Sequence, residues 1–262
     1  MREPRLTRSE ARRLRQAWDR QQQFHIPERE ERFRVMLDVL RETMPRRPRI
    51  LDLGCGTGSL SERVLRELPG ARVWAVDFDP VLLRVGREGL GDMQGRLTWV
   101  ETDLRRKGWG KVLPRLRFDA AVSTTALHWL TDVQLRALFR TLGRIVRPGG
   151  VVLNGDSMPF DYAGHAAAYP RISKVVRAVR ASRPTARGPP GVLSWDEWWS
   201  DVEGLPALAR EVAERRRRYP HSHESVPSPS ASWQIAELGS AGFREAAVVW
   251  QRWTNRVLLA IR

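Results

Sequence analysis

Cysteine, long apolar segments and lysine are all scarce in this sequence, and the first two scarcities exclude whole classes of protein. Cys55 is the only cysteine among 262 residues, so an intrachain disulfide and a cysteine-rich metal centre are both excluded. No apolar run reaches the roughly 18 residues that a transmembrane helix needs. The first twenty residues are highly charged and lack the apolar segment of a secretory signal peptide. We therefore expect a cytoplasmic protein with no membrane partner.

The positive charge of the chain has two interpretations. A formal net charge of +15 would suit an anionic partner such as nucleic acid. However, lysine occurs at only three positions (Lys107, Lys111 and Lys174), and the other basic residues are arginines. This bias, with abundant alanine, glycine and proline, is typical of a GC-rich coding sequence. Since charged runs usually lie on solvated faces, we favour the second interpretation and expect no nucleic-acid partner.

Short apolar segments alternate with helical patterns over residues 48–156, which is typical of a parallel sheet with helices on both faces. Before this core, residues 1–47 predict two helices, because Pro27 interrupts a helical pattern. After it, the alternation stops in residues 157–231, which we interpret as a substrate cap inserted after the fifth strand. Within the core, the fifth strand is predicted over Val151 to Asn154. Residues 232–262 predict a final helix and a β-hairpin of the core, with the tight turn at Thr254-Asn255.

A glycine loop follows the first predicted strand, in the segment ILDLGCGTG that ends at Gly58. Asp52 ends the strand, and Gly54, Gly56 and Gly58 let the backbone turn sharply and approach a ligand closely. A helix with unpaired N–H groups comes next. The spacing Gly-x-Gly-x-Gly differs from the Gly-x-Gly-x-x-Gly of dinucleotide sites, which disfavours a nicotinamide dehydrogenase. We interpret Cys55 as a small packing residue that offers its backbone amide to the ligand, and not as a nucleophile.

Two further acids stand at successive strand ends, Asp77 after the second strand and Asp103 after the third. With the glycine loop, this order resembles the class I S-adenosylmethionine-dependent methyltransferases. The resemblance covers about residues 48–156 and the terminal hairpin. It implies a seven-stranded, mostly parallel Rossmann-like sheet with an antiparallel last strand. It also implies S-adenosylmethionine as the cofactor, with Asp77 on the ribose hydroxyls and Asp103 on the adenine amino group. The cofactor-binding residues assigned in this way are Asp52, Gly54, Cys55, Gly56, Gly58, Asp77, Phe78, Asp103, Leu104 and Thr124.

Histidines are the candidate catalytic residues. His128 follows the fourth strand, at the carboxyl end of the sheet where ligands bind, and could be a general base or a hydrogen-bond donor to the acceptor. It could also pack beside Trp129. His221 and His223 lie in the cap and could reach the same site, or they could belong to a polar loop. They lack the further ligands of a zinc site, so we expect no metal.

Arg29 and three cap tryptophans each have two interpretations. Arg29 could hold the cofactor's methionine carboxylate, or it could lie on an exposed helix face. Trp195, Trp198 and Trp199 could form the wall of an aromatic or cationic pocket, or they could pack the cap onto the core, which we favour.

Taken together, these features favour methyl transfer to an oxygen, nitrogen or carbon of a small molecule, because a long cap can enclose a small acceptor. Leu127-His128-Trp129 resembles the Leu-Gln-Trp of small-carboxylate and malonyl-carrier methyltransferases. Residues 184–231, rich in proline and glycine, predict a lid. One alternative is an RNA or protein methyltransferase, supported by the net charge of +15 and by the run Arg215 to Arg218. Against it, the Asn/Asp-Pro-Pro-aromatic tetrapeptide of adenine-N6 methyltransferases is absent after strand four. Another is a non-catalytic protein that binds S-adenosylmethionine. The acceptor and the oligomeric state are not predicted.

Overall fold

The computed structural model describes residues 4–26, 28–160, 191–219 and 228–262, together with the single positions 171, 174, 175 and 178. Within these ranges, no helix has both the length and the apolar character needed to cross a membrane.

Two helices precede the sheet, as the sequence predicts. Helix α1 spans Arg8–His25 and α2 spans Arg29–Thr43. A capping box starts α1, because the Thr7 hydroxyl accepts from the Glu10 amide while the Glu10 carboxylate accepts from the Thr7 amide. The apolar residues of α1 recur at helical spacing, so one face of the helix is buried.

Seven strands form one sheet in the order β3-β2-β1-β4-β5-β7-β6. Strands β1 to β5 pair in parallel, and β7 pairs antiparallel with both β5 and β6. The predicted seven-stranded, mostly parallel sheet with an antiparallel last strand is confirmed. The strand order reverses between β1 and β4, which opens a crevice at their carboxyl ends. The strands are β1 Arg49–Leu53, β2 Arg72–Asp77, β3 Leu97–Glu101, β4 Phe118–Thr124, β5 Val146–Ser157, β6 Glu245–Arg252 and β7 Asn255–Ile261.

Helices cover both faces of the sheet, and each face has its own apolar core. Ile50 and Leu51 show the alternation, because Ile50 packs in the core that holds Phe33 whereas Leu51 packs in the core that holds Phe139. β1 is buried from Ile50 to Leu53, as is expected of a parallel strand that is covered on both faces. The remaining helices of the core are α3 Ser59–Glu67, α4 Pro80–Leu90, α5 Asp132–Ile145 and, after the predicted cap, α8 Ala231–Ser240.

The described part of the predicted cap contains helices α6, Trp195–Glu203, and α7, Ala209–Arg218. They pack against α1 and α4. Trp198 is fully buried and donates from Nε1 to the Leu14 carbonyl over 3.0 Å. The packing interpretation is therefore confirmed for Trp198. Trp199, which is also buried, and Trp195, which is 39% exposed, border the cavity described below as well.

Strand β5 and the terminal hairpin differ from the predicted bounds. β5 continues past Asn154 to Ser157, because β7 pairs with it along this whole length. The hairpin turn lies at Trp253 and Thr254, one residue earlier than predicted. Asn255 belongs to β7, where its side chain accepts a hydrogen bond from Arg32.

Candidate active site

A cavity of about 490 Å³ opens at the carboxyl ends of the parallel strands, between the core and the described part of the predicted cap. This volume lies within the roughly 300–1,000 Å³ that is usual for small-molecule and cofactor sites. Most of the residues singled out from the sequence line it: Asp52, Gly54, Cys55, Gly56, Asp77, Phe78, Asp103, Leu104, Thr124, Arg29 and His128. The fold thus brings together positions that are up to 99 residues apart in the chain, from Arg29 to His128.

Gly58, His221 and His223 are the exceptions. Gly58 does not line the cavity, and a Cβ there would come within 2.6 Å of the Trp99 ring, so its small size serves packing. His221 and His223 lie outside the described residues. The described part of the chain contains no group of three or more side chains that could hold a metal ion.

Gly54 and Gly56 shape the loop that borders the cavity. Both have positive φ, +71° and +54°, a region that L side chains rarely adopt. A Cβ on Gly54 would lie 2.3 Å from Cβ of Ala126, so only glycine fits this close approach between the loop and the end of β4. A Cβ on Gly56 would meet only Leu82, at 3.9 Å, which leaves open space beside the loop.

The backbone amides of the loop bond within the fold. The Gly54 and Cys55 amides both donate to the Val76 carbonyl, over 2.8 and 3.0 Å. β2 thus takes the Cys55 amide in this structure, and binding of a ligand by that amide stays a prediction. The role of Cys55 as a packing residue agrees with its burial, which raises the pKa of the thiol, and the nearby Asp77 charge adds to that effect.

Asp77 is held in one orientation by three backbone amides. Its Oδ1 accepts from the Phe78 and Asp79 amides over 2.7 and 2.9 Å, and its Oδ2 accepts from the Gly56 amide over 2.7 Å. Burial raises the pKa of Asp77 to about 6, although these amides oppose the change. Because a carboxylate oxygen can accept more than one hydrogen bond, Asp77 keeps the capacity to accept from hydroxyl groups in the cavity.

Asp52 has one satisfied oxygen and one unsatisfied oxygen. The Ser61 hydroxyl donates to Oδ2 over 2.6 Å, whereas Oδ1 is buried and has no partner among the described residues. Burial raises the pKa of Asp52 to about 7, and the neighbouring Asp77 contributes in the same direction. A buried acceptor without a hydrogen bond is energetically unfavourable. Oδ1 of Asp52 therefore suits a hydrogen-bond donor in the cavity, most favourably a cationic one.

Asp103 has a partner that the sequence did not indicate. The Arg105 guanidinium donates to both of its oxygens, over 2.8 and 2.9 Å. The same guanidinium lies 5.1 Å from the centre of the Phe78 ring and 5.8 Å from that of Tyr219. This end of the cavity therefore combines aromatic faces with a neutralised carboxylate.

Arg29 lies at the cavity but is already paired. Its guanidinium donates to Asp19 over 2.8 Å and to Glu30 over 3.2 Å, and it stacks 4.6 Å from the centre of the Phe33 ring. Since the residue is buried, the exposed-face interpretation is wrong. These partners engage part of the guanidinium that a cofactor carboxylate would use.

His128 forms a pair with a buried aspartate, Asp156. The Nδ1 atom lies 2.9 Å from Oδ1 of Asp156, and the His128 amide donates to Oδ2 over 3.1 Å. Burial lowers the pKa of His128, but the hydrogen bond and charge of Asp156 outweigh it, so the pKa is raised. The sequence missed Asp156 because the predicted fifth strand ended two residues earlier; only pairing with β7 shows the extension.

Arg32 lies near the pair formed by His128 and Asp156. Its guanidinium donates to Asn255 over 3.0 Å and to the hydroxyl of Thr125, a residue with positive φ in the loop after β4. Burial lowers the pKa of Arg32 to about 10, so the side chain remains a cation near Asp156 at neutral pH. A Cβ on Gly155 would lie 2.9 Å from Cδ of Arg32, which explains why glycine precedes Asp156.

Comparison with known proteins agrees with this geometry. Residues 50–150 match a family described as a methyltransferase domain. The trans-aconitate 2-methyltransferase of Azoarcus sp. is 32% identical over 146 residues, covering 55% of this chain and 52% of that protein. A malonyl-[acyl-carrier protein] O-methyltransferase of Ilyobacter polytropus is 29% identical over 103 residues, covering 39% of this chain and 35% of its own length. The chain thus spans about half or less of these relatives.

Solved structures share the fold at low identity. An O-methyltransferase family protein from Burkholderia thailandensis superposes with a TM-score of 0.53 at 16% identity, covering 87% of this chain and 55% of its own. Human N-acetylserotonin methyltransferase in complex with S-adenosylmethionine gives a TM-score of 0.50 at 17% identity, with coverage of 95% and 65%. Residues 50–150 therefore match a methyltransferase domain, and the strand order is that of the fold shared with these solved structures, in agreement with what the resemblance of the sequence implies.

Proposed function

We propose that this chain binds S-adenosylmethionine in the cavity and transfers its methyl group to a small-molecule acceptor. The observation that carries the proposal is the cavity itself. It joins the glycine loop and the carboxylates of Asp52 and Asp77 to a wall that includes Trp199 and Tyr219 of the cap region. In this proposal residues 48–156 are the cofactor-binding core, completed by residues 232–262, and residues 157–231 are the cap.

The residues present suit the cofactor chemically. Asp77, fixed by backbone amides, would accept the ribose hydroxyls, and the open oxygen of Asp52 would accept the methionine ammonium group. Asp103 and Phe78 would border the adenine, with Arg105 beside them. When bound, the cofactor supplies a methyl group on a positively charged sulfur. The protein then mainly has to orient the acceptor and exclude water.

The acceptor side favours a small and partly aromatic molecule. Trp129, Trp195 and Trp199 line the cavity, so flat apolar groups would find large contact surfaces there. The relatives named above are methyltransferases of trans-aconitate and of malonyl groups on a carrier protein. We propose that the methyl group is transferred to an oxygen atom of a small molecule. Nitrogen and carbon are the alternative acceptor atoms. His221 and His223 of the predicted cap remain predicted catalytic residues.

The structure weakens the RNA or protein alternative. That hypothesis used the arginine run at the end of α7, but each arginine in the run has an acidic partner within 4 Å. The pairs are Arg215 with Asp79, Arg216 with Glu203, Arg217 with Glu214 and Arg218 with Glu101. Arg215 and Arg218 are largely buried in their pairs, so only the exposed Arg216 and Arg217 remain accessible to phosphate groups.

Calorimetric titration with S-adenosylmethionine and, separately, with NAD tests the proposal. We expect binding of the first and none of the second. Asp77→Asn should weaken binding by about 1.5–3 kcal/mol, the usual contribution of hydrogen bonds to a charged group. Asp201→Asn, an exposed position on α6, serves as the control and should bind normally. Binding of NAD without binding of S-adenosylmethionine would refute the proposed function.

A further inference from the structure

The His128 ring is held from one side only. Nδ1 bonds to Asp156, and the His128 amide bonds to the other oxygen of the same carboxylate, so ring and backbone are fixed together. The opposite nitrogen, Nε2, has no hydrogen-bond partner among the described residues, and it is not one of the buried unpaired atoms. The side chain is 25% exposed and forms part of the cavity wall, so this nitrogen is open to the cavity.

The Asp156 carboxylate forms most of its hydrogen bonds with His128. It is almost completely buried at the end of β5, and its other bond is a donation from the Ser157 amide over 2.8 Å. The nearby cation, Arg32 of α2, gives its hydrogen bonds to Thr125 and Asn255 instead. Asp156 lies near the Arg32 charge without being capped by it, so its oxygens remain directed at His128.

We infer that Asp156 is a positioning residue that keeps the His128 proton on Nδ1, so that Nε2 accepts the proton of a hydroxyl acceptor during methyl transfer. This inference rests on the proposed function and specifies its acceptor class. The hydroxyl oxygen forms the bond to the methyl carbon as the carbon–sulfur bond breaks and its electron pair goes to sulfur. The hydroxyl proton goes to Nε2 and later to solvent.

A carboxylate acceptor would make this arrangement unnecessary. A carboxylate is already ionised and has no proton to lose. The Leu-Gln-Trp stretch that this segment resembles has a glutamine at the position of His128, and a glutamine can only donate or accept a hydrogen bond. A histidine backed by a buried carboxylate can take a full proton and stabilise the resulting cation. The replacement therefore directs the site towards acceptors such as phenols or alcohols.

Nitrogen-15 NMR of histidine-labelled protein tests the positioning role without an acceptor. His128→Gln identifies the signals of His128 among the five histidines. We expect the wild-type ring to carry its proton on Nδ1 and to have a raised pKa. Asp156→Asn should lower that pKa by about one unit or more and mix the two tautomers. Asp132→Asn, at the start of α5, should change neither property. A proton on Nε2 in the wild type, or an unchanged ring in Asp156→Asn, would overturn the inference.

Turnover with matched acceptors tests the acceptor class. Phenol and catechol are compared with benzoate and trans-aconitate, with formation of S-adenosylhomocysteine as the readout. We expect methylation of the hydroxyl compounds, with kcat falling as pH drops below the His128 pKa measured by NMR. Asp156→Asn should lower kcat by about tenfold or more while KM changes little. Turnover of carboxylates alone, or a rate that rises as the pH falls, would overturn it. Absence of cofactor binding in the calorimetry would instead remove the proposed function, while the NMR result would stand.

Discussion

Arg215 and Asp79 form an ion pair in which Nε and Oδ2 are 2.7 Å apart, and this pair joins α7 to the N-terminus of α4. The Arg215 guanidinium also lies 3.7 Å from the centre of the Trp199 ring, while Asp79 accepts from the amide of Val81 as the N-cap of α4. The end of α7 is thereby fixed beside the carboxyl end of β2, where Asp77 lies.

We predict that Arg215→Met lowers the free energy of unfolding by about 1.5–3 kcal/mol, because it leaves the largely buried Asp79 without its charged partner. Arg216→Met is the matched control. Arg216 is 66% exposed and paired with Glu203, so its loss should cost less than about 1 kcal/mol. Urea denaturation measures both. Equal and small effects would show that the pair does not hold α7 in place.

Gly54→Ala should impair both folding and cofactor binding, because the new Cβ would lie 2.3 Å from Ala126. Gly95→Ala is the control, since Gly95 has nearly the same φ, +73°, with nothing within 4 Å. The control should lose only about 1–2 kcal/mol from the left-handed backbone. Thermal unfolding with and without S-adenosylmethionine distinguishes the two variants. The close approach would be unimportant if Gly54→Ala bound the cofactor as the control does.

The affinity for S-adenosylmethionine should rise with pH. The methionine ammonium group of the cofactor needs an ionised Asp52 carboxylate, and the pKa of Asp52 is about 7 in the free protein. Below that value, affinity should fall by up to about tenfold per pH unit, and binding should release protons. Calorimetry in buffers of different ionisation enthalpy measures this release. Asp52→Asn should bind weakly and show a much flatter profile. Constant affinity from about pH 5.5 to about pH 8 would contradict the assignment of Asp52.

The carboxyl groups of Asp52 and Asp77 also affect the stability of the free protein. Asp52 and Asp77 have pKa values of about 7 and about 6, both above their ordinary value. Their contribution to stability is present below the unfolded value of about 4 and is lost as pH rises through 6 to 7. The increase in Tm that S-adenosylmethionine produces should therefore be larger at about pH 8 than at about pH 5.5. A shift that shrinks over this range would contradict the assignment.

The net charge of +15 should produce only weak, salt-sensitive contact with RNA. Because the arginines at the end of α7 are paired with acids, we expect no saturable complex with tRNA at about 150 mM salt. Mobility-shift titrations at several salt concentrations measure this. A tight complex with one RNA species would restore the RNA methyltransferase alternative.

The sequence predicted the residues whose positions follow from strand ends. Asp52, Asp77 and Asp103 come together because parallel strands place their carboxyl ends at one edge, which is a property of topology. Side-chain partners were not accessible in this way. The pairing of Asp103 with Arg105, and of Arg29 with Asp19, depends on rotamers that no periodicity encodes.

Backbone hydrogen bonding explains two other features of the site. Cys55 lies in the glycine loop, as the motif requires, but its amide is taken by Val76 of a neighbouring strand. Asp156 was missed because an acid at the end of an apolar segment looks like the start of a loop. Pairing of Asp156 with Arg256 of β7 keeps it in the sheet and directs it to His128.

Arg32 has a consequence for how sequences related to this one can vary. Its stem passes Gly155, and its guanidinium contacts Thr125 and Asn255, so positions from four separate segments share one small volume. A larger residue at 155 is compatible only with a shorter side chain at 32, and a shorter side chain there removes the guanidinium donor from the Thr125 hydroxyl and the Asn255 amide. We therefore expect these four positions to covary in evolution. Since three of them lie outside residues 50–150, this coupling would join the matched domain to segments on either side of it.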